Sequence, residues 1–442
     1  MLAIHYGSIV SYIFRESNVS ILFVSATGYS RENALISHMA SVRTRTVEDA
    51  VTGPVKVDGH ELQAIELCLP GLAEVTLLNL GVTLTSWKIP DIEGKLGDDI
   101  IIGLPTEQDY VANNGSYFGS IVGRYAGRIS NASFMLPGQL PFYLTATEGN
   151  NTLHGGPMGF SRVIWDIIEM NVDESHPDSV SVTLQYISGD GEGGWPGTLQ
   201  TQCEVTLCRR TSPDNAPSIV LEMKYTLATD QLTPVSLTHH PYFQLLPRNV
   251  NVGDEPGVDP LKATDKSSSS PSSSINGYSL ESHRVALRAS EVLELNESKC
   301  PSGKRIPCQD TEYADMAVGE RHLGQNKLSM DTYFVGTPLG GARQMVRLSA
   351  SDVVEDRGER HRTLLVESDY PCVVVYTADH FDKIEGKNGD IYNAQAGIAV
   401  EPQEFPNAPN VPEFPQDAWL EAGSMRERVI RYVCETNYAK AT

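Results

Sequence analysis

Short segments typical of β-strands recur along most of this chain, and helical periodicity over several turns is hard to find. From Lys56 onward, runs such as 73–80, 179–187 and 218–227 alternate or are continuously apolar over the usual length of a strand. Gly, Pro, Asn or Asp separates these runs, as expected for turns. Many strands with few helices predict a sandwich or a barrel. Because we find no internal repeat, we predict an all-β chain that forms one large sandwich with few short helices.

Two regions depart from this pattern. Residues 1–48 lack a clean period, and we interpret them as an N-terminal extension that could be disordered, ahead of a sandwich domain at 49–442. Residues 247–282 are rich in serine and poor in apolar side chains, so burial cannot offset the entropy of ordering them. We interpret them as a mobile insertion between two strands of one domain, since strand-like sequence of the same style lies on both sides. An interdomain linker is the alternative.

The overall charge and the cysteines limit the classes of partner and compartment. The formal net charge of −22 repels phosphate backbones, which disfavours nucleic acid as a partner. None of the apolar runs reaches the roughly 18 residues that span a bilayer, so no membrane partner is expected. The seven cysteines include no Cys-x-x-Cys pair, which argues against a disulfide framework and a zinc knuckle. The cysteines thus indicate a reducing compartment, and we predict a cytoplasmic protein. We also expect a monomer or a homodimer.

Two stretches carry residues suited to proton transfer. In residues 397–410, Glu401 ends an apolar strand-like run and begins a proline-rich turn. In residues 237–245, His240 stands between apolar and aromatic residues. One carboxylate and one imidazole suffice for acid–base chemistry on a neutral substrate. From the pKa values of the free side chains, about 4.3 for Glu and about 6.5 for His, we expect Glu401 to be ionised and His240 to titrate near neutral pH.

Three further stretches combine a polar side chain with a turn or an aromatic strand: residues 123–129, 150–156 and 330–335. They contain Arg128, His154 before a double glycine, and Asp331 at the head of an aromatic run. Taken singly, His154 is better explained as a turn residue and His240 as a core residue, and Asp331 could cap a turn. Only the combination of the stretches favours a site.

Taken in the order in which they occur along the chain, these five stretches resemble the aldose 1-epimerases, also called galactose mutarotases, over about residues 50–435. The resemblance implies a large antiparallel β-supersandwich that interconverts the α and β anomers of free aldohexoses such as glucose and galactose. It implies a small-molecule sugar as the substrate, and neither a metal nor a cofactor. The resemblance also implies roles for individual residues: general base Glu401, general acid His240, and substrate-binding Arg128, His154, Asp331 and Tyr242.

The chain departs from the family pattern at positions expected to contact the sugar. Gly127 stands where an asparagine is usual, and Val374 where a glutamine is usual. The preferred sugar is therefore open. A non-catalytic sugar-binding or regulatory protein on the same fold, or a hexose-6-phosphate 1-epimerase, remains an alternative. A metal site is disfavoured because the His, Asp and Glu residues lack the short spacings of closed metal sites, and a serine hydrolase because no Gly-x-Ser-x-Gly elbow occurs.

Overall fold

The structure is a computed structural model, and it describes most of the chain. The described residues are 39–440, apart from 92, 113–114, 137–138, 174, 212–216, 247–277, 325–327, 337–340 and 355–357. Before them, the backbone forms five short strands: Ile4–His5, Ser8–Val10, Ile13–Arg15, Asn18–Ser20 and Phe23–Val24. The predicted insertion at 247–282 falls mostly outside the described residues.

Three antiparallel sheets form the body of the molecule. The five-stranded sheet has the order Leu96–Asp99, Thr83–Pro90, Ala73–Leu78, Gln63–Leu69 and Ser41–Thr46. The nine-stranded sheet has the order Asp166–Val172, Ser179–Ser188, Leu199–Thr211, Pro217–Thr229, Met425–Lys440, Gly358–Ser368, Arg343–Val354, His283–Leu287 and Arg321–His322. The seven-stranded sheet has the order Ile101–Ile102, Tyr242–Phe243, Ile398–Gln403, Cys372–Tyr376, Asp331–Gly336, Ala289–Leu295 and Pro301–Pro307. The prediction of an all-β antiparallel sandwich is confirmed.

The remaining elements are short. Paired two- and three-residue strands are Glu48–Asp49 with Gly53–Pro54, Lys56–Val57 with His60–Glu61, Ile121–Val122 with Thr238–His239, Arg128–Ile129 with Thr152–Leu153, Ser133–Met135 with Pro141–Tyr143, Thr233–Pro234 with Trp419–Leu420, and Ile384–Glu385 with Ile391–Tyr392. The described α-helices are Asp109–Ala112 and Ala314–Val318, and the 3₁₀ turns are Ser130–Ala132, Phe160–Arg162, Glu192–Gly194, Cys308–Asp310, Lys387–Gly389 and Ala408–Asn410. In the part of the chain that the structure describes, no helix has the length and apolar character needed to cross a membrane.

The two-residue period of the central strands assigns their side chains to two faces. In the seven-stranded sheet, Val373, Val375 and Val400 are buried in the main apolar cluster, together with residues of the other two sheets. The intervening Val374 and Glu401 therefore lie on the opposite face, away from that core. This face is the one that can carry a site.

The sandwich begins earlier than the sequence indicated. Ser41–Thr46 is the edge strand of the five-stranded sheet and pairs with residues 63–68. The predicted boundary at residue 48 is therefore wrong for this strand. The strand consists mostly of polar and basic residues, so it lacks the apolar pattern by which strands are recognised in a sequence. An edge strand with partly exposed side chains needs few apolar residues.

A tight turn after the strand Thr152–Leu153 brings two backbone segments together. Gly155 has a φ of +83°, and a Cβ built on it would lie 1.8 Å from the carbonyl oxygen of Gly123. Gly59 has a similar φ of +85°, but nothing lies within 4 Å of its Cβ position. An alanine at either position would have a left-handed backbone, but only an alanine at position 155 would also clash with a neighbouring atom.

We expect Gly155→Ala to lower the free energy of unfolding by at least about 3 kcal/mol, because the clash adds to the left-handed strain. The matched Gly59→Ala control should lose only about 1–2 kcal/mol, from the strain alone. Urea denaturation of both variants measures the difference. Equal losses would contradict the close approach at Gly155.

Candidate functional site

A cleft of about 210 Å³ opens on the face of the seven-stranded sheet that points away from the main core. Its walls contain all six of the residues predicted from the sequence: Glu401, His240, Arg128, His154, Asp331 and Tyr242. The structure therefore brings together side chains that are distant in the sequence, such as Arg128 and Glu401, which are 273 positions apart.

The register of two neighbouring strands places Glu401 beside His240. Tyr242 pairs with Ala399 and Phe243 with Ile398. His240 lies two residues before Tyr242 and Glu401 two residues after Ala399, so the two residues lie at the same end of these paired strands. The imidazole Nε2 of His240 lies 3.3 Å from the carboxyl Oε1 of Glu401, and both side chains are buried.

The backbone of His240 is fixed, but part of its side chain is free. Its N–H donates to the Ser120 carbonyl at 3.0 Å, and its carbonyl accepts from the Gly119 N–H at 2.9 Å. The Nδ1 of His240 and the Oε2 of Glu401 are buried without a hydrogen-bond partner among the described residues. Neighbouring His239 points the other way, and its Nε2 donates to the Gly119 carbonyl at 2.8 Å. The cleft thus contains two polar atoms that a ligand could satisfy.

Burial changes the protonation expected for the pair. Burial first, and then the nearby charge of Asp331, raise the pKa of the Glu401 carboxyl to about 8, although Arg128 acts in the opposite direction. Burial lowers the pKa of the His240 imidazole to about 4. At neutral pH the pair is therefore a carboxylic acid beside a neutral imidazole. The expectation of an ionised Glu401 and a histidine titrating near neutrality is wrong, because both groups are removed from water.

His154 directly follows a two-stranded ribbon formed by Arg128–Ile129 and Thr152–Leu153. Arg128 pairs with Leu153, and His154 donates its own N–H to the Gly127 carbonyl at 3.0 Å. The N–H of Gly127 donates in return to Nδ1 of His154 at 3.3 Å. Burial, with the charges of His240 and Arg128, lowers the pKa of His154 well below its ordinary value. A neutral His154 that accepts at Nδ1 carries its proton on Nε2, so it can donate a hydrogen bond to a ligand.

The tautomer of His154 also bears on whether the cleft is suited to bind a metal ion. The ligand atoms of His154, His240 and Glu401 lie within 4.8 Å of one another, as a metal site would require. However, a ring nitrogen that carries a proton has no lone pair for a metal. The hydrogen bond from Gly127 therefore leaves only His240 and Glu401 as ready ligands. The cluster fits proton transfer and hydroxyl binding better than it fits a metal.

Paired charges line the rim of the cleft. The guanidinium of Arg128 donates to both carboxyl oxygens of Glu148, and its Nη2 lies 3.9 Å from Oδ2 of Asp331. The ammonium of Lys299 donates to the same oxygen of Asp331 at 3.0 Å. Arg128 and Asp331 thus reach the cleft as predicted, but each already has a charged partner.

Two aromatic side chains, Tyr242 and Trp195, differ in their position relative to the cleft. Tyr242 lies in the wall of the cleft, and its hydroxyl donates to the Ser116 carbonyl at 3.1 Å. Trp195 is buried against Tyr125 and Phe134 in a separate apolar cluster. Of these two aromatic residues, Tyr242 is therefore the one that can offer its ring to a ligand.

Sequence reasoning missed several polar residues of the cleft, among them Glu148, Lys299 and Gln403. Glu148 lies two residues before the stretch 150–156, and Gln403 lies within the stretch 397–410, so both are close to or inside motifs identified in the sequence. Lys299 has a φ of +59° on a turn in which Oδ1 of Asn296 accepts from the N–H groups of Ser298 and Cys300. Nothing in the sequence connects this turn with the cleft.

Comparisons with known proteins agree on one family. A family model described as aldose 1-epimerase matches residues 63–254 and 272–433. The chain is 28% identical to the galactose mutarotase of Homo sapiens over 390 residues, covering 85% of this chain and 94% of the relative. It is 25% identical to the aldose 1-epimerase of Escherichia coli (strain K12) over 385 residues, covering 85% of this chain and 96% of the relative.

Solved structures show the same fold. A galactose 1-epimerase from Lactobacillus acidophilus NCFM superposes with a TM-score of 0.65 at 20% identity, covering 90% of this chain and all of the other. An aldose epimerase homologue from C. elegans superposes with a TM-score of 0.62 at 24% identity, covering 84% of this chain and 97% of the other.

The raised pKa of Glu401 predicts a stability that depends on pH. Because the pKa is about 8 in the folded state and 4.5 for an unperturbed glutamate, the folded state binds more protons than the unfolded state between these pH values. Stability is therefore lost as pH rises through this window, and Glu401→Gln removes the loss. We expect Glu401→Gln to melt on the order of 2–5 °C above the wild type at pH 9, and at the same temperature at pH 5.

The exposed Glu297→Gln is the matched control for this measurement and should show no such pH-dependent difference. Calorimetric scans at the two pH values provide the comparison. A Glu401→Gln variant that melts below the wild type at pH 9 would rule out the unfavourable burial of this carboxyl.

Proposed function

The chain belongs to the aldose 1-epimerase family, and on that premise we propose that it interconverts the α and β anomers of free aldohexoses such as glucose and galactose. The observation that carries the proposal is the buried approach of 3.3 Å between the His240 imidazole and the Glu401 carboxyl in the wall of the cleft. An acid and a base that both reach one bound sugar are the machinery that anomer exchange needs.

In the proposed mechanism, Glu401 takes the proton of the anomeric hydroxyl while His240 gives a proton to the ring oxygen. The bond between the anomeric carbon and the ring oxygen breaks, and the electron pair of the O–H bond forms the aldehyde carbonyl. After rotation about the adjacent carbon–carbon bond, the ring oxygen attacks the other face of the aldehyde. The two side chains then act in reverse, so that the site returns to its starting protonation.

The pair needs only one proton in total for this cycle. In the empty cleft the proton resides on Glu401, as the raised pKa of the carboxyl and the lowered pKa of the imidazole indicate. Moving it across to His240 produces the carboxylate base and the imidazolium acid. Sugar hydroxyls in the cleft favour this charged form, because hydrogen bonds to a charged group are stronger than those to a neutral one.

Other side chains of the cleft would hold the sugar. We assign hydroxyl binding to the Nε2–H of His154 and to the charged groups of Arg128 and Asp331, which can make charge-assisted hydrogen bonds. The ring of Tyr242 would pack against the apolar side of the sugar. We retain the proposal of a small-molecule sugar as the ligand and of a monomer or homodimer in the cytoplasm.

A non-catalytic sugar-binding protein is the second candidate function. Gly127 and Val374 favour it, because both line the cleft without the amide expected at their positions. A hexose 6-phosphate is less well supported. The cations at the rim, Arg128 and Lys299, are already paired with Glu148 and Asp331, and an unpaired phosphate would need free positive charge.

Loss of either member of the pair should abolish most of the anomer exchange. We expect Glu401→Gln and His240→Ala each to reduce kcat/KM by on the order of 10²- to 10⁴-fold, since each removes one proton-transfer group. Polarimetry of freshly dissolved α-glucose and α-galactose, corrected for the rate without protein, measures this.

Exposed His60→Ala and Glu297→Gln serve as controls that remove the same chemical groups elsewhere. Wild-type rates in Glu401→Gln and His240→Ala would refute the proposed pair. Calorimetric binding of sugars by the wild type without anomer exchange would instead support the non-catalytic candidate.

The rate of anomer exchange should fall at both low and high pH. Below about pH 4 both His240 and Glu401 are protonated and no base remains, whereas above about pH 8 both have lost the proton and no acid remains. We therefore expect kcat/KM to be highest between these values and to fall about tenfold per pH unit outside them. A profile that rises steadily through pH 9 would contradict the shared proton.

A further inference from the structure

The amide of Gln403 is buried in the wall of the cleft and has no partner there. Its side chain lines the cleft with a relative exposure of 0%. Neither Nε2 nor Oε1 makes a hydrogen bond with any residue that the structure describes. Since buried amides are normally hydrogen-bonded, the orphaned amide indicates that something else satisfies it.

The strand that carries Glu401 directs Gln403 toward the same ligand. Gln403 lies two residues after Glu401 on the strand Ile398–Gln403, so the two side chains share a face. The next residue, Glu404, points elsewhere and forms an ion pair with Arg428 at 2.7 Å. Gln403 is therefore the last side chain of this strand that faces the cleft.

Gly127 lies against this amide from the other side. A Cβ built on Gly127 would lie 3.3 Å from Nε2 of Gln403 and 3.1 Å from the hydroxyl of Tyr333, and its φ is +76°. The space that a side chain at position 127 would enter is thus bordered by an amide and a hydroxyl. The resemblance places an asparagine at this position in other members of the family.

We infer that Gln403 is a sugar-binding residue of this protein, and that its amide binds a sugar hydroxyl in place of the asparagine side chain that is absent at Gly127. The inference rests on the proposed sugar ligand. A carboxamide has both a donor and an acceptor, so it can bind one hydroxyl in either role. Val374 and Cys372 on the neighbouring strand offer no competing hydrogen bond of comparable strength.

Gln403→Met tests the inference, because methionine keeps the length of the side chain and removes the amide. Affinities for glucose, galactose and a series of their monodeoxy analogues are measured by calorimetry, and KM and kcat by polarimetry. We expect affinity for the parent sugar to fall roughly 10-fold, as for the loss of one hydrogen bond, with kcat changed less than KM.

The deoxy series identifies the bound hydroxyl. The analogue that lacks this hydroxyl should bind the wild type and Gln403→Met equally, whereas the other analogues should bind the variant about 10-fold more weakly. The melting temperature of Gln403→Met should equal or exceed that of the wild type, since an unsatisfied buried amide is removed. Gln200→Met, at an exposed strand position, is the control and should change neither affinity nor KM.

Three results would overturn the inference. The first is an unchanged affinity of Gln403→Met for every sugar. The second is an equal loss for every analogue together with a lower melting temperature, which would indicate a structural role. The third is a wild type that binds none of these sugars. By contrast, a wild type that binds sugars without exchanging anomers would overturn only the proposed function, and the affinities would still decide on Gln403.

Discussion

The site depends on the register between the strand that carries Glu401 and its neighbour that leads from His240. The pairing of Tyr242 with Ala399 brings the ends of the two strands that lead to His240 and Glu401 together, and Val400 beside Glu401 is packed in the main core together with Val373 and Val375 of the next strand. A slip by one residue would turn Val400 toward the cleft and Glu401 into the core. The burial of the valines therefore fixes the position of Glu401 beside His240, although neither of these two side chains belongs to that apolar core.

The same arrangement explains why unsatisfied polar groups gather in the cleft. Elsewhere in the sandwich a buried charge can be fully satisfied: the Arg124 guanidinium donates to the Ser188 hydroxyl and to four backbone carbonyls, those of Ser188, Gly189, Pro196 and Gly197. In the cleft, Glu401 and His240 are buried with one free atom each, and Gln403 with both, among the residues that the structure describes. A fold keeps such groups when a ligand completes them, since without one they only cost stability.

Part of this structure could be predicted from the sequence. The alternation of apolar residues identified the strands of the main core, and the ordered motifs identified six residues that meet in one cleft. Ser41–Thr46 was missed because an edge strand needs little apolar sequence, and Lys299 because a turn residue has no periodic signal. The pKa values of Glu401 and His240 could not be predicted either, because they follow from burial by residues distant in the chain.

The two departures from the family pattern have different physical consequences. Val374 pairs with Glu401 on one side and Tyr333 on the other, so an apolar side chain there adds to the low polarity that raises the pKa of the carboxyl. Gly127 has no side chain but keeps its backbone N–H, which fixes the tautomer of His154. The first change thus acts on the protonation of the pair, and the second leaves the Nε2–H of His154 available as a donor toward the ligand. The two departures therefore affect different properties of the cleft: one affects the protonation of Glu401, and the other affects the donor that His154 presents to a ligand.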